Sequence, residues 1–379
     1  DIAQCLVGSE MCIRDSPPHC NERGGAVLNA ALKLNGRYPI QICVERLSEL
    51  HMEFASTDIG ASGHADTVEE IQDCHNPYDP FALHKAALIA CGIIPLNGER
   101  GVQPVSGKSD DSQKMNGGAQ ESLQEICSRL GGGIRLSTKV VGIPQGSGLG
   151  TLSLIHICSI LSGACVKGLF RFLGREATDD EIYAIVLAME QIMSTGGGWQ
   201  DQVGGLTPGI KFITTKPGIH QQIHVEQVKI PEETAKELQA RFALIYTGQR
   251  RLARNLLRDV VGGYLGGRPE SIDALERMQE VAVLMRFELE RGNLDAFAGL
   301  LNRHWELSRQ LDSGSTNTCI EQIFLSCEDL IDARFIAGAG GGGFLQVLLK
   351  RGCTKEMLRE RLHEIFQESG VDVWDTEFV

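Results

Sequence analysis

Pro144-Gln145-Gly146-Ser147-Gly148-Leu149-Gly150-Thr151 is the stretch from which the fold is read. Before it lies Ile134-Arg135-Leu136-Ser137-Thr138-Lys139-Val140-Val141, an alternating run with the period of a strand. After it, an apolar helical pattern begins near Ser159. A strand, a glycine turn and a helix start together form a phosphate cradle. Glycines let the backbone approach closely and adopt positive φ. The unpaired N–H groups and the dipole of the helix N-terminus then face the anion. A plain tight strand-to-helix turn has the same spelling, and the loop alone does not choose between the two.

Composition narrows the field. The chain has 379 residues, enough for two or three domains, with 42% hydrophobic and 22% charged residues. The net charge of −13 argues against a broad nucleic-acid or acidic-membrane surface. Twelve cysteines occur without a C-x-x-C pair, which suits reduced thiols in a cytoplasmic protein better than a disulfide framework or zinc site. There is no apolar run long enough to span a membrane and no signal-peptide pattern.

Two runs stand apart from the rest. Residues 1–16, and Ser9–Ser16 in particular, have no helical or strand period. Leu152–Cys158 interrupts the chain directly after Thr151. Both resemble translated sequencing-adapter read-through. Residues 1–16 are therefore left out of the fold expectation, as a tag would be.

The remaining pattern alternates strands and helices. Ala26–Leu34, Asn35-Gly36 and Tyr38–Glu45 predict a hairpin with a type I′ turn. A strand follows at His51–Ala55, then a helix opened by Asp79-Pro80 and closed by Gly92. Asn97–Gln120 reads as a polar loop. Its Gly107-Lys108-Ser109 lacks the spacing, preceding strand and following helix of a Walker loop. Glu121–Leu130 is a short helix, and Thr178-Asp179-Asp180-Glu181 is a capping box opening an amphipathic helix to Met193. Glu190 falls in the last turn of that helix, where a negative charge opposes the helix dipole unless a cation answers it.

Strands follow near Lys211–Thr214 and Gln222–Ile230, and Pro231 marks a boundary. Beyond the strand Phe242–Tyr246, helices are expected at 249–261, 270–290, 293–311 and 317–330. The chain then reads as a strand at Ala333–Ala337, a loop at Gly338–Gly343, a strand at Phe344–Lys350, a helix at 354–369 and a strand at 371–375. Gly338–Gly343 satisfies the G-x-G-x-x-G spelling, but a strand follows it rather than a helix. A glycine hairpin fits better than a dinucleotide loop.

Three separated motifs now agree. The Pro144–Thr151 loop, the Gly197–Gln202 segment and the Gly338–Gly343 loop together resemble the GHMP small-molecule kinases. Gly196-Gly197-Gly198-Trp199-Gln200-Asp201-Gln202-Val203-Gly204-Gly205, Tyr246–Leu256 and Phe335–Phe344 narrow the resemblance to L-fucose kinases, including the kinase half of bifunctional fucokinase/GDP-fucose pyrophosphorylases. The resemblance implies an α+β, two-domain GHMP kinase fold. Its ATP-binding part would be a ribosomal protein S5 domain 2-like N-terminal domain over 17–230, truncated at its start and interrupted at 152–158, and 231–379 a ferredoxin-like C-terminal domain.

It also implies the site. The loop residues Pro144, Gly146, Ser147, Gly148, Leu149, Gly150 and Thr151 would hold the ATP phosphates, with Gly338, Gly340, Gly341 and Gly342 closing on them. Glu190 would ligate Mg2+, joined by a hydroxyl after the loop, Ser153 or Ser159. Asp201 would be the base or orienting group at the anomeric hydroxyl of the sugar. The partners implied are ATP, Mg2+, L-fucose and, in the intact gene, an upstream pyrophosphorylase half; nucleic acid and membrane are not implied. A heptose 7-phosphate kinase is the nearest rival. A non-catalytic nucleotide- or sugar-binding protein is the rival from another class, because the loop is interrupted and the family's first strand should lie before Pro17. His19/Cys20 and Cys74/His75 read as structural pairs, and Arg250, Arg251 and Arg254 as either solvated or phosphate-facing.

Overall fold

The computed structural model describes residues 4–5, 19–38, 40–57, 59–76, 79–96, 121–141, 157–193, 199–218, 222–249, 262–336 and 342–379, with the side chains of 4–5, 157–159, 190–191 and 200–202 excepted. The chain divides into two compact units. One comprises Asp1–Ile40, Val141–Ile160 and Gly196–Val379; the other comprises Gln41–Val140 and Leu161–Thr195.

The first unit carries two sheets. In one, β1 (Gln4–Cys5), β2 (Gly25–Leu34), β7 (Ile210–Thr215) and β8 (Ile223–Gln227) lie in that order, and β13 (Thr376–Phe378) also pairs with β2. In the other, β10 (Ile331–Ile336), β11 (Phe344–Leu349), β9 (Phe242–Thr247) and β12 (Val371–Trp374) lie side by side, each neighbour antiparallel. Read in chain order, that sheet runs 2-3-1-4 with helical crossovers, the ferredoxin-like arrangement. Its crossovers are α9 (Pro269–Glu290), α10 (Leu294–Leu311) and α11 (Thr318–Ser326) before β10, and α12 (Lys355–Phe366) before β12.

One apolar core joins both sheets of this unit. Leu28 of β2 and Phe212 of β7 meet Met278, Leu289 and Phe297 of α9 and α10, together with Phe335 and Leu348 of the second sheet. Each such side chain contributes about 1.5–3 kcal/mol by leaving water. Pro231 is the N-cap of α8 (Glu232–Arg241) and lies inside this unit.

The second unit has a sheet in the order β3 (Ile40–Leu47), β6 (Gly133–Val140), β4 (Met52–Ser56) and β5 (Ala61–Ala65), with β4 and β6 parallel. A parallel pair needs a long crossover. Here that crossover includes α2 (Val68–Gln72), α3 (Ala82–Ala90) and α4 (Leu123–Leu130). α5 (Ile157–Phe172) meets β3 where Gly168 leaves room for Ile42, and α6 (Asp179–Ile192) packs on α3. The expected capping box opens α6: Glu181 N–H donates to Thr178 Oγ1 at 3.3 Å, and Thr178 N–H donates to Glu181 at 2.8 Å. Among the described residues, no helix is long and apolar enough to cross a membrane.

Several expectations need correction. The Asn35-Gly36 turn forms, with φ of 50° and 71°, and Leu34 and Arg37 exchange backbone bonds at 3.0 Å. The hairpin does not continue beyond it. β13 takes Leu32–Leu34 of β2, and Asn35 is tied to Asp375, so β3 departs to pair with β6. Residues 1–16 are not idle, since Gln4–Cys5 pairs with Ala31 and Leu32 of β2. The helix expected from Asp79 starts at Ala82, because the Asp79 carboxylate accepts from Phe81 N–H at 2.8 Å and Lys85 at 2.6 Å and forms a turn instead. The helix expected over 317–330 stops at Ser326. The expected loop at 97–120, with Gly107-Lys108-Ser109, lies outside the described residues, as do Arg250, Arg251 and Arg254 and nearly all of the helix expected at 249–261.

Candidate active site

Asp201 lies in the first turn of α7 (Gln200–Leu206). At seven residues, α7 is too short to hold itself by its own hydrogen bonds and must be fixed by its surroundings. Trp199 enters it almost fully buried, at 1% exposure, and Val203 is buried on its inner side. The Trp199 indole Nε1 has no acceptor among the described residues. Gly205 faces Ile160 of α5, and a Cβ placed there would lie 2.7 Å from an Ile160 methyl. The Ile160 side chain therefore packs directly on the Gly205 backbone, where a Cβ would crowd it. Ser159 directly precedes Ile160 in the first turn of α5, so the helix carrying Asp201 meets the turn carrying Ser159.

The far end of α7 is tied by a lysine. Lys211 is fully buried, and its ammonium donates to the carbonyl of Thr207, the C-cap of α7, and to that of Gly209 at 3.3 Å. Its backbone is held in the sheet between Asn29 of β2 and Gln227 of β8. The sequence reading missed Lys211. The available signal was a lysine on the same face of the strand as Ile213, where alternation demands an apolar side chain.

The second glycine loop joins β10 to β11 as a hairpin, with Ile336 opposite Leu345. Gly338, Gly340 and Gly341 lie outside the described residues. Gly342 and Gly343 have φ of 152° and 81°, a region that favours glycine. Gly343 N–H donates to Gln249 carbonyl at 3.1 Å, and Thr247 N–H donates to Gly343 carbonyl at 2.8 Å. The exit of this loop is thus stitched to the start of Tyr246–Leu256, bringing two of the motifs together.

Glu190 stands in the last turn of α6 in the second unit. The loop Pro144, Gly146, Ser147, Gly148, Leu149, Gly150 and Thr151, and Ser153, lie outside the described residues, as do the side chains of Ser159, Glu190 and Asp201. The remaining clusters are structural. His19 is buried edge-on to Tyr264, with ring centres 5.3 Å apart. Burial pushes the Cys74 thiol up to about 11, and His75 Nδ1 lies 2.7 Å from the Ile192 carbonyl. Among the described residues, no three His, Cys, Asp or Glu side chains gather to hold a metal.

Over 350 residues, 92% of this chain, the sequence is 33% identical to a bifunctional fucokinase/GDP-fucose pyrophosphorylase from Arabidopsis thaliana. Over the same share it is 31% identical to an L-fucokinase/L-fucose-1-P guanylyltransferase from Bacteroides fragilis. It superposes on a D-glycero-D-manno-heptose 1-phosphate kinase from Bacteroides thetaiotaomicron with a TM-score of 0.67 at 16% identity, covering 100% of this chain and 94% of that one. The chain is a homologue of the fucokinase/GDP-fucose pyrophosphorylases and has the α+β GHMP kinase fold. The mevalonate kinase of Methanococcus jannaschii shares the fold, with a TM-score of 0.67 at 15% identity over 100% of this chain and 98% of that one. A D-glycero-alpha-D-manno-heptose 7-phosphate kinase from Campylobacter jejuni is 25% identical over 54% of this chain and 58% of its own length. No protein-family model matches the chain. The chain spans about a third of the fucokinase relatives it matches, 30% and 34% of their lengths.

Proposed function

We propose that this chain is an ATP-dependent sugar kinase that phosphorylates the anomeric hydroxyl of L-fucose, giving fucose 1-phosphate and ADP. The observation that carries this reading is the match to two fucokinase-bearing proteins over 92% of the chain, on a kinase fold. The ATP-binding half would be 17–230 and the C-terminal half 231–379.

In this reading, Gly146–Thr151 cradle the ATP phosphates with backbone N–H groups, and Gly338–Gly342 close on them. Asp201 orients the anomeric hydroxyl and takes its proton as the sugar oxygen bonds to the γ-phosphorus. The bond from that phosphorus to the β–γ bridging oxygen breaks, and ADP leaves. Glu190 and Ser159 would hold Mg2+, whose charge offsets that building on the phosphate oxygens. The placement of Glu190 suits this role, since a carboxylate in the last turn of α6 opposes the helix dipole and gains from a nearby cation. The buried indole of Trp199, two residues from Asp201 and without an acceptor among the described residues, suits a sugar hydroxyl as partner.

The test is ADP release from Mg·ATP over L-fucose, D-arabinose, galactose and a heptose 7-phosphate. L-Fucose is expected to stimulate most, and Asp201→Asn to abolish the stimulation. Preference for the heptose phosphate would favour the second reading, a heptose kinase, which rests on the shorter match at 25% identity. Tight ATP or sugar binding without turnover would favour a non-catalytic binding protein.

A further inference from the structure

The buried ammonium of Lys211 calls for an explanation. Taking a lysine fully out of water is costly unless its charge is answered, and most buried charges are paired. Here the oxygens that receive it include the carbonyls of Thr207 and Gly209. Thr207 caps the C-terminus of α7, where the helix dipole places partial negative charge and where carbonyls lack helical partners. The lysine therefore answers a need of this helix end, and the helix end is among the groups that answer the charge of the lysine.

We propose that Lys211 is a positioning residue for Asp201. This inference rests on the kinase reading, in which Asp201 contacts the reacting hydroxyl. α7 spans only Gln200–Leu206, about 10 Å of axis at 1.5 Å per residue, so a shift at its C-terminus is passed to its first turn. Among the described side chains, its restraints include apolar ones: Trp199 and Val203 buried, and Gly205 against Ile160. Apolar contacts resist separation but set the rotation and axial position of a short helix only loosely. The lysine supplies a directional tie to β7, a strand hydrogen-bonded on both sides within the sheet. Through this tie the sheet fixes the backbone turn of α7 that carries Asp201.

The test compares wild type with Lys211→Met, which keeps the length and apolar stem but drops the donor, and with Lys211→Arg, which keeps the charge. Two readouts are taken on the full chain. The first is L-fucose-stimulated ADP release, resolved into kcat and KM. The second is amide hydrogen exchange across 203–207 and across β2 and β7. Lys211→Met is expected to lower kcat by about tenfold or more, with the KM for Mg·ATP within about twofold of wild type. Lys211→Arg is expected to recover part of the loss. In Lys211→Met, amides 203–207 are expected to lose protection about tenfold while β2 and β7 keep theirs.

An unchanged kcat in a folded Lys211→Met protein would overturn the proposal, as would a loss of protection spread evenly over the sheet. A wild type inert towards every sugar would overturn the kinase reading instead. The exchange pattern would then decide by itself whether the lysine anchors α7.

Discussion

His84 shows at the scale of one residue how the second unit handles a titratable group. It is 2% exposed, with Nε2 3.1 Å from Thr138 Oγ1 and 3.3 Å from the Ala55 carbonyl, and its ring lies near Phe54 and Phe81. Burial pushes its pKa from 6.5 down to about 4, against a smaller upward pull from the Ala55 carbonyl and Asp79, so the ring is neutral near pH 7. The sign follows directly. The unfolded chain takes up the proton first as pH falls, so stability is full above about 6.5 and is lost between there and about 4. At pH 5 the loss is about 2 kcal/mol from this residue. Urea unfolding at pH 7.5 and pH 5 should show a drop in wild type that is smaller by about that amount in His84→Gln. Equal drops in both would show that His84 is not the source.

Two residues mark the limits of reading at this scale. The Thr178 capping box was legible, because both partners lie within one turn of sequence. Lys211 was not singled out, although the carbonyls it serves lie only four and two residues before it: spacing alone does not show that its ammonium turns inward.

At the scale of elements, the crossing of α5 and α7 offers the sharpest test. Replacing Gly205 by alanine would improve helix propensity by about 1 kcal/mol. It would also force a Cβ to within 2.7–2.9 Å of three Ile160 side-chain atoms in a site where Ile160 is 3% exposed. Overpacking of this kind costs about 1–3 kcal/mol, so the net effect should be destabilising. Gly205→Ala should lower the melting temperature, and Ile160→Val added to it should restore part of the loss. A Gly205→Ala protein more stable than wild type would contradict the close approach.

The failed hairpin teaches the complementary lesson. The local signal for the Asn35-Gly36 turn was right, but the partner of β2 beyond it is β13, more than three hundred residues away in sequence. Turn chemistry is local; strand partnership is decided by which edge buries best and is written nowhere near the turn. The Gly338–Gly343 stretch was correctly placed between two strands rather than before a helix, whereas the Pro144–Thr151 motif lies outside the described residues.

At the scale of the molecule, the ferredoxin-like sheet was expected from family resemblance rather than from periodicity, and its 2-3-1-4 order agrees with it. Arg241 helps to lock it. This arginine, 4% exposed, donates to the Leu349 carbonyl at 2.7 Å, Glu237 at 2.6 Å and Asp332 at 2.7 Å, tying α8 to β10 and β11. Removing one partner of a buried charged network costs about 3–5 kcal/mol, and the half-exposed carboxylates here reduce that to about 2–4 kcal/mol. Arg241→Met should show that loss in denaturant midpoint. A change below about 0.5 kcal/mol would show the network to be idle.

The central claim is that phosphate is transferred to the anomeric oxygen of L-fucose. The most direct measurement is phosphorus NMR of the sugar product formed by the full chain from Mg·ATP and L-fucose, with Asp201→Asn in parallel. A phosphate coupled to the anomeric proton is expected in wild type, and no sugar phosphate from the variant. Phosphate on another carbon, or ATP hydrolysed with no sugar phosphate formed, would contradict it.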